Sequence, residues 1–437
     1  MKNFYKVVTY GCQMNVHESE KLAGMLESLD YINTTKSEEA DIIVFNTCSI
    51  REGAVSKAFG NIGALKSLKE NNKNLIIAVG GCMPQNKEDA LKLKSTFPFV
   101  DIIFGTHNLH KFKQYLIDYK LSKERTLNIW ENDQGVPNMT EIHRTSGFNA
   151  WVNISFGCNN YCSYCIVPYV RGKERSRDYN EIVNECKKLI DEGYKTITLL
   201  GQNVNSYGND IQNEEINFAN LLKDVASLEG DFIVKFMTSH PKDLTDQVID
   251  VIANYDKVSK AVHLPVQSGS NNTLKAMERG YTVEHYLSLV NKLKQKVNNL
   301  TLSSDFIVGF PGETNEDFEQ TKQLIRTVEF DNLFAYIYSK RSYTKASKMT
   351  NTVEAEVKNK RVNELLNYQK QIIATTRQKL IGKQIKVLVD KFKDNKYYAK
   401  TDAGRLVELT NNEFEIKKFY IVKVTDVTNK KITAEKV

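Results

Sequence analysis

Short, continuous apolar runs alternate with helical segments over roughly the first 120 residues of the chain. The runs are KVVTY, DIIVFNT, LIIAVGG and VDIIFG. Val- and Ile-rich runs of this length, separated by helical segments, are typical of a parallel sheet that carries helices on both faces. We therefore predict an α/β domain over residues 1–120.

The alternation resumes near residue 148 and continues to about residue 375. Helical segments such as NEIVNECKKLIDEG and NEDFEQTKQLIRTVE separate six strand candidates, which are AWVNISF, TITLLGQNV, FIVKFMTSH, AVHLPVQSG, LTLSSDFIVGF and NLFAYIYSKR. Because eight β/α units close the familiar barrel, six units predict an incomplete (β/α)6 barrel. In such sheets the reactive groups gather at the carboxyl ends of the strands.

Two further segments complete the predicted α/β organisation. Residues 121–147 contain ENDQGVPNMTEIHRTSG, a polar stretch with Gly and Pro that predicts a linker. Beyond the barrel region of residues 148–375, residues 376–437 hold the strand-like pieces QIKVLVDKF, KYYAKT, RLVELT and FYIVKVTDV. Short strands separated by turns predict a small C-terminal β-barrel.

Composition narrows the class of protein. The chain has 437 residues, of which 41% are hydrophobic and 26% charged, as in ordinary globular proteins. It contains no run of about 18 apolar residues, so we expect no membrane span. The start, MKNFYKVVTYGC, lacks the apolar centre of a signal peptide. We therefore expect a cytoplasmic protein, in which thiols stay reduced and clustered cysteines favour a metal or redox site over disulfides.

The charge is distributed unevenly. The net charge is +7, and residues 376–437 carry 15 Lys and Arg against 8 Asp and Glu, whereas residues 1–375 carry 45 of each sign. A basic terminal module favours a polyanionic partner, most often nucleic acid. The alternative is a lysine-rich surface that only interacts with solvent.

Three of the seven cysteines lie within eight positions, directly after the first strand of the barrel region. Cys158, Cys162 and Cys165 are spaced C-x-x-x-C-x-x-C in SFGCNNYCSYC. Three thiolates from one loop could hold a cubane iron–sulfur cluster with one iron left open for another ligand. The alternative is a zinc site with a distant fourth ligand, although no further cysteine or histidine lies nearby in the sequence.

This motif at the end of the first strand resembles the radical S-adenosylmethionine superfamily. The resemblance implies that the open iron chelates S-adenosylmethionine and that one electron from the cluster cleaves it to a 5′-deoxyadenosyl radical. It implies cofactor contacts by Tyr164 and at the ends of the second, fourth and fifth barrel strands. The matching positions are Gly201, Gln202, Asn203 and Asn205; Gln267, Ser268 and Ser270; and Ser304, Asp305, Gly309, Gly312 and Glu313. Each of these residues taken alone could instead serve ordinary turn chemistry.

A second set of three cysteines is dispersed in the sequence. Cys12, Cys48 and Cys82 each follow a predicted strand, after KVVTY, DIIVFNT and LIIAVGG. Because the carboxyl ends of parallel strands share one edge, the three thiols should point into one crevice. The alternative is three buried cysteines that act as small hydrophobes. We interpret Cys186, on a helical stretch, as structural.

The dispersed set makes the resemblance more specific. It is similar to the methylthiotransferase branch, whose members have a second 4Fe-4S cluster in an N-terminal domain and a small RNA-binding C-terminal β-barrel called TRAM. The motifs YGCQMN, NTCSIRE, LLGQNVNSYG and TSHP resemble the MiaB type, and LIGKQIKVLVD with Gly404-Arg405 resembles TRAM. The MiaB type acts on isopentenylated adenosine at position 37 of tRNA. The chain departs from the pattern at Tyr343-Thr344, where the family often has Gly-Thr.

The resemblance also implies how the two cysteine sets act. One S-adenosylmethionine methylates a sulfur on the N-terminal cluster, and a second gives the radical that removes hydrogen from adenine carbon 2. No side-chain base can usefully deprotonate that carbon, so the step is delegated to a cofactor. We expect the tRNA anticodon stem-loop as partner and an electron donor such as flavodoxin or ferredoxin, and the sequence does not identify the sulfur donor. Two alternatives remain, a methylthiotransferase for threonylcarbamoyl adenosine and a non-enzymatic RNA-binding protein with structural metal sites.

Overall fold

The computed structural model describes residues 2–50, 52–131, 135, 142–410, 413–428 and 431–437.

A six-stranded parallel sheet forms the N-terminal part. Its strands are β1 (Asn3–Thr9), β2 (Tyr31–Asn33), β3 (Ile42–Thr47), β4 (Ile76–Gly81), β5 (Ile102–Phe104) and β6 (Thr126–Asn128), in the order β2-β1-β3-β4-β5-β6. Every residue of β3, β4 and β5 is buried, because separate apolar cores cover the two faces of the sheet. The four predicted strands are present. The short edge strands β2 and β6 were not predicted, and β6 lies in the range expected to be a linker.

Six helices cover this sheet. They are α1 (Gln13–Glu27), α2 (Glu52–Ala64), α3 (Lys66–Asn71), α4 (Cys82–Gln85), α5 (Lys87–Thr96) and α6 (Phe112–Ser122). Helix α5 begins at a side-chain cap, since Asn86 accepts hydrogen bonds from the N–H groups of Glu88 and Asp89. Helices α1 and α6 pack on one face of the sheet and α2 and α5 on the other, as the alternating pattern predicts.

The central part is an incomplete barrel made of two three-stranded parallel sheets. One sheet contains β7 (Asn149–Asn153), β10 (Thr196–Leu200) and β11 (Ile233–Met237), and the other contains β12 (Ala261–His263), β13 (Thr301–Val308) and β14 (Asn332–Ile337). A single bridge between Val234 and Val258 connects the two sheets. The six predicted strands and the incomplete barrel are therefore confirmed.

Helices surround these strands, and a small hairpin follows β7. The hairpin is β8 (Ser155–Phe156) with β9 (Arg175–Ser176), and the helices are α7 (Val167–Arg171), α8 (Tyr179–Asp191), α9 (Phe218–Ser227), α10 (Asp246–Asn254), α11 (Asn271–Ala276), α12 (Val283–Lys296), α13 (Asn315–Val328) and α14 (Ala355–Gln378). Strand β13 alternates between buried and partly exposed residues. Leu302, Phe306 and Val308 join the helix-covered core, so Ser303 and Asp305 face the open interior of the barrel.

The C-terminal part is a closed five-stranded barrel. Its strands are β15 (Gln384–Lys393), β16 (Lys396–Thr401), β17 (Leu406–Thr410), β18 (Phe419–Val427) and β19 (Ile432–Lys436), in the order β15-β16-β17-β19-β18. The predicted small barrel is confirmed. Strand β19, which closes the barrel by pairing with β17 and β18, was not predicted.

The turn between β16 and β17 joins the C-terminal barrel to the central one. Asp402 Oδ2 accepts hydrogen bonds from Ser259 Oγ at 3.1 Å and from the N–H of Lys260 at 2.8 Å. Arg405 Nη2 lies 2.7 Å from Asp331 Oδ1. These partners precede β12 and β14, so the C-terminal barrel lies against the amino ends of the strands. In the part of the chain that the structure describes, no helix is both long and apolar enough to cross a bilayer.

Helix α14 is fixed to the central barrel by a buried ion pair. Arg361 Nη1 lies 2.6 Å from Glu313 Oε2, and both side chains are almost fully buried. Arg361 also donates to Asn315 Oδ1 at 2.9 Å, and the N–H of Gly309 donates to the same Glu313 oxygen. Burial raises the pKa of Glu313, and the Gly309 N–H and Arg361 oppose that rise. Removal of one member leaves the other charge buried without compensation.

We therefore predict that Arg361→Met lowers the free energy of unfolding by about 3 kcal/mol or more. The measurement is urea denaturation followed by circular dichroism. The exposed neighbour Lys360 provides the control, because Lys360→Met should change stability by less than about 0.5 kcal/mol. Equal midpoints for the two variants would contradict a stabilising role for the pair.

Candidate functional site

The dispersed cysteines meet at one edge of the N-terminal sheet. Cys12 precedes α1, Cys48 follows β3 and Cys82 begins α4 directly after β4. Gly11 has a φ of +125°, and a Cβ there would lie 2.7 Å from Cys48 Cβ and 3.1 Å from Cys48 Sγ. Gly81 has a φ of +100°, and a Cβ there would overlap backbone atoms of Thr47. Glycine beside two of the cysteines thus lets the three strand ends approach closely.

A buried cation accompanies this first set of thiols. Arg171, at the end of α7, pairs with Glu18 of α1 through an Nη1–Oε1 distance of 2.5 Å, and both side chains are less than a tenth exposed. Its Nη2 donates to Asn15 Oδ1 at 3.4 Å, and the same oxygen accepts from Cys12 Sγ. Burial raises the pKa of the Cys82 thiol, and the nearby positive charge of Arg171 opposes that rise. Arg171 therefore favours thiolate in a site that burial otherwise keeps neutral.

The clustered cysteines lie on a loop that the β8–β9 hairpin closes. Gly157 has a φ of +75°, and a Cβ there would overlap the carbonyl group of Lys173. The N–H of Cys158 donates to the carbonyl of Gly172 at 3.3 Å, and the N–H of Cys165 donates to the carbonyl of Cys162 at 2.9 Å. The loop therefore holds its three thiols in a fixed arrangement at the mouth of the barrel.

Arg279 and His240 are polar neighbours of this second set that sequence reasoning missed. Arg279 Nη1 donates to Cys162 Sγ and to the Tyr164 hydroxyl, each at 3.4 Å, and His240 Nε2 lies 4.0 Å from Cys162 Sγ. Arg279 Nη2 is held by the carbonyl of Pro265 at 2.8 Å. His240 stood in the quoted TSHP motif, whereas no motif marked Arg279.

Burial shapes the protonation of these thiols. Burial, together with the neighbouring Cys162, raises the pKa of Cys158 to about 11 and that of Cys165 to about 12. The positive charge of Arg279 lowers the pKa of Cys165. Burial therefore disfavours the thiolates, and a nearby positive charge or a bound iron centre would favour them.

The two sets of cysteines adjoin each other. Cys82 forms a small apolar cluster with Ile166 and Val170, and Ile166 follows Cys165 directly. The hydroxyl of Thr106, at the end of β5, donates to the carbonyl of Val170. The sequence predicted that each set of cysteines follows the carboxyl ends of strands. In the structure, the strand ends of the N-terminal sheet adjoin those of the central barrel.

The thiol arrangement bears on the kind of metal site. Among the residues that the structure describes, no three His, Cys, Asp or Glu side chains lie close enough to share one metal ion. A single zinc ion requires such close convergence. A cubane cluster does not, because each thiolate binds a different iron. The donor set of three thiols on one loop has the chemistry that an iron–sulfur cluster requires.

Unpaired polar atoms line the barrel beside the clustered cysteines. Gln202 Oε1, Asn203 Oδ1 and Asn205 Nδ2, which follow β10, are buried and have no hydrogen-bond partner among the described residues. The same holds for Asn153, Ser155 Oγ and Ser239 Oγ at the ends of the adjacent strands, β7 and β11. Gly201 makes room there, since a Cβ would lie 2.5 Å from Ser155 Oγ. Because buried polar groups rarely stay unpaired, this arrangement fits a polar ligand.

The predicted positions on the second half of the barrel divide into two groups. Asp305 faces the interior, with Oδ1 3.6 Å from His263 Nε2, and Gln267, at a φ of +75°, is tied by its backbone to Asp305 and Ile307. Tyr164 lies beside Arg279 and Cys162.

The other group has structural partners. Ser268 and Ser270 contact Thr321 and Asp317 of α13, and Ser304 donates to the carbonyl of Leu264. Glu313 is engaged with Arg361 and Gly309, and a Cβ on Gly309, whose φ is +67°, would overlap Lys358. Gly312 also has a positive φ, of +86°. Cys186 lies in the apolar core. The structure thus leaves polar atoms of the residues after β10 unpaired inside the barrel, whereas Ser268 and Ser270 contact α13 and Glu313 contacts α14.

Comparison with known proteins agrees with this architecture. A sequence model of the radical SAM superfamily matches residues 152–325, and one of the uncharacterized protein family UPF0004 matches residues 5–105. Among solved structures, the radical S-adenosylmethionine methyltransferase TsrM from Kitasatospora setae, with cobalamin and a 4Fe-4S cluster bound, superposes with a TM-score of 0.58. That similarity covers 79% of this chain and 74% of TsrM at 13% identity, so it shows the fold alone.

Curated relatives match nearly the whole chain. A protein of Clostridium botulinum (strain Langeland) is 49% identical over 99% of this chain and 96% of its own length. A protein of Caldicellulosiruptor saccharolyticus is 48% identical over 97% of this chain and 90% of its own length. Both are named tRNA-2-methylthio-N(6)-dimethylallyladenosine synthase. Superfamily membership implies a 4Fe-4S cluster and S-adenosylmethionine. The chain belongs to the tRNA-2-methylthio-N(6)-dimethylallyladenosine synthase family of radical SAM enzymes.

Proposed function

We propose that this protein methylthiolates carbon 2 of N(6)-isopentenyladenosine at position 37 of tRNA, with S-adenosylmethionine as both methyl donor and radical source. The proposal rests on one observation. The two sets of cysteines adjoin each other, because Cys82 of the first set packs against Ile166, which directly follows Cys165 of the second. Full-length relatives with the corresponding name support the choice of substrate.

Each cysteine set has its own proposed role. Cys158, Cys162 and Cys165 hold a 4Fe-4S cluster with one open iron, and Cys12, Cys48 and Cys82 hold a second 4Fe-4S cluster. When bound, these groups and S-adenosylmethionine supply the radical that takes the carbon-2 hydrogen and the sulfur and methyl group that replace it. Arg171 and Arg279 place positive charge beside the two sets and favour their thiolates.

The interior of the barrel binds the cofactor and the target base. The amide groups of Gln202, Asn203 and Asn205 offer unpaired donors and acceptors to the polar end of S-adenosylmethionine. Gly201 leaves space beside Ser155, and Asp305 offers a carboxylate on the opposite wall. We assign Tyr164, Gln267, Ser268, Gly309 and Glu313 to the same binding region, where Ser268, Gly309 and Glu313 shape the backbone rather than reach the interior.

The C-terminal barrel provides an RNA-binding surface. Lys386 on β15 and Lys423 on the adjacent β18 are both exposed, and Ile421, opposite Lys386 in the register, is 48% exposed. Lys386 Nζ also lies 4.6 Å from the centre of the Phe419 ring. Lysines interleaved with apolar and aromatic side chains suit an RNA backbone and its bases. We propose the tRNA anticodon stem-loop as the partner.

The remaining assignments complete the proposal. We place the reaction in the cytoplasm, where thiols stay reduced, and expect a small protein such as flavodoxin or ferredoxin to supply electrons. We propose domains over residues 1–120, 148–375 and 376–437 with a connection over 121–147, in which β6 extends the first sheet. A threonylcarbamoyl-adenosine substrate is the competing assignment, and assays with both modified hairpins separate the two.

Replacement of Cys158, Cys162 and Cys165 by Ala should abolish production of 5′-deoxyadenosine, because the radical source loses all its protein ligands. The measurement is chromatography of the products after anaerobic reconstitution and reduction. Iron content should fall by about half, since the second set is intact. Retained cleavage of S-adenosylmethionine in this triple variant would refute the assignment.

Replacement of Cys12, Cys48 and Cys82 by Ala should abolish methylthiolation but leave the cleavage of S-adenosylmethionine intact. The methylthiolated nucleoside should disappear because the sulfur site is gone, whereas 5′-deoxyadenosine should still form. Mass spectrometry of digested RNA measures the first product. Formation of that nucleoside by this variant would contradict the role given to the N-terminal set.

The double variant Lys386→Gln/Lys423→Gln should weaken tRNA binding and flatten its salt dependence. Each lost phosphate contact reduces the log–log slope by roughly 0.7 to 0.9. Point substitutions are preferable to deletion of the tail, because Asp402 and Arg405 also hold the central barrel. Lys66→Gln, which removes an exposed charge on α3 of the N-terminal part, is the control and should leave the slope unchanged. Identical slopes for both variants would place the RNA elsewhere.

A further inference from the structure

Three exposed tyrosines form a continuous aromatic surface beside the clustered cysteines. Tyr161 and Tyr169 are each 41% exposed and Tyr343 is 46% exposed. The Tyr161 and Tyr169 rings meet edge to face with centres 6.5 Å apart, and the Tyr169 and Tyr343 rings lie 6.4 Å apart with planes inclined by 30°. Tyr161 precedes Cys162, and Tyr169 follows Cys165 by four residues. This tyrosine surface therefore borders the mouth of the barrel.

Two of these tyrosines have a backbone conformation that favours glycine. Tyr343 has a φ of +69° and Tyr161 a φ of +46°. Tyr343 is the third residue of a turn from Arg341 to Thr344, in which the N–H of Thr344 donates to the carbonyl of Arg341. A turn with a left-handed third residue usually has Gly there. A tyrosine in this conformation carries backbone strain, and such strain is often concentrated at binding and active sites.

The turn that carries Tyr343 is firmly attached on both sides. Thr344 is buried, and its hydroxyl donates to the carbonyl of Arg341 at 2.8 Å. The N–H of Ala346 donates to the carbonyl of Ser163, inside the cysteine loop, at 2.7 Å. Ser342 Oγ donates to Glu88 Oε2, on the N-terminal part, at 2.9 Å. The ring of Tyr343 is therefore held where the N-terminal part meets the cysteine loop.

We propose that Tyr161, Tyr169 and Tyr343 form a stacking surface for the unpaired bases that flank the target nucleotide of the RNA loop. This inference rests on the proposed function. Proteins read single-stranded RNA loops by splaying out the bases and stacking them on aromatic side chains. Tyr343 borders the junction of the N-terminal part and the cysteine loop, so the bases that flank an adenine held between the two cysteine sets would lie near the three rings. Exposed tyrosine on a fixed backbone binds a base face with little loss of side-chain entropy.

The test compares Tyr343→Gly with Tyr343→Phe in the full-length protein reconstituted with iron and sulfide. The substrate is an anticodon stem-loop RNA that carries N(6)-isopentenyladenosine at the target position. Tyr343→Gly should raise the KM for this RNA about ten-fold, as expected for the loss of one stacked base, with kcat little changed. Tyr343→Phe should retain the KM of the parent protein. A second RNA with 2-aminopurine beside the target should be quenched on binding to the parent and less so on binding to Tyr343→Gly.

Asn299→Gly is the matched control, since Asn299 also has a left-handed φ, of +56°, but carries no ring. It should leave the KM unchanged. The melting temperature of Tyr343→Gly should be no lower than that of the parent, because glycine relieves the turn. Equal KM and equal quenching for Tyr343→Gly and the parent would overturn this inference and leave the proposed function intact. If flavodoxin reduced Tyr343→Gly more slowly than the parent while the KM for the RNA stayed the same, the inference would also be overturned. The tyrosine surface would then bind a protein electron donor instead of RNA bases. Failure of the parent to bind or modify the RNA would overturn both proposals.

Discussion

The buried ion pair between Arg171 and Glu18 is the contact on which the site depends. Glu18 belongs to the first helix of the N-terminal sheet, and Arg171 follows the cysteine loop of the central barrel by six residues. Both charges are buried, so separation of the two parts would leave each uncompensated, at a cost of several kcal/mol. The same pair fixes Asn15, which contacts Cys12 and the carbonyl of Thr47. This ion pair thus links one group of thiols to the other, together with the Thr106–Val170 hydrogen bond and the apolar contact of Cys82 with Ile166.

Parallel topology explains how such distant cysteines meet. Strands β1, β3 and β4 are neighbours in register, so the residues that follow them share one edge. In the central barrel the same rule gathers the cysteine loop, the amides after β10 and the interior face of β13 around one opening. One polar atom of each of those amides, Gln202 Oε1, Asn203 Oδ1 and Asn205 Nδ2, lacks a partner among the described residues. A fold that leaves polar groups buried and unpaired at one point sacrifices stability there, which is expected where a ligand supplies the missing hydrogen bonds.

Much of this arrangement was predictable from the sequence, and the remainder depends on contacts that leave no local pattern. Apolar runs identified ten strands of the two α/β parts, because a strand that packs against a core needs apolar side chains. Among them, β3, β4 and β5 are buried on both faces. The edge strands β2 and β6 have three residues each and are only partly buried, so no run marked them. Arg279 contacts Cys162 from 117 positions away. Ser268 appeared as a cofactor contact from its place after a strand, yet its hydroxyl is within hydrogen-bond distance of Thr321 of α13.

The C-terminal barrel and the thiols lie at opposite ends of the central barrel, and this separation bears on the size of the substrate. Asp402 and Arg405 bind at the amino ends of the central strands, whereas the thiols lie at the carboxyl ends. The eight residues of β13 separate these ends by about 26 Å. A nucleoside that occupied the mouth alone could not reach the lysines of the C-terminal barrel. An RNA stem-loop is long enough to contact both, because its stem can lie along the side of the barrel while its loop enters the mouth. The RNA contact proposed for the C-terminal barrel therefore requires a substrate longer than a nucleoside, as a tRNA stem-loop is.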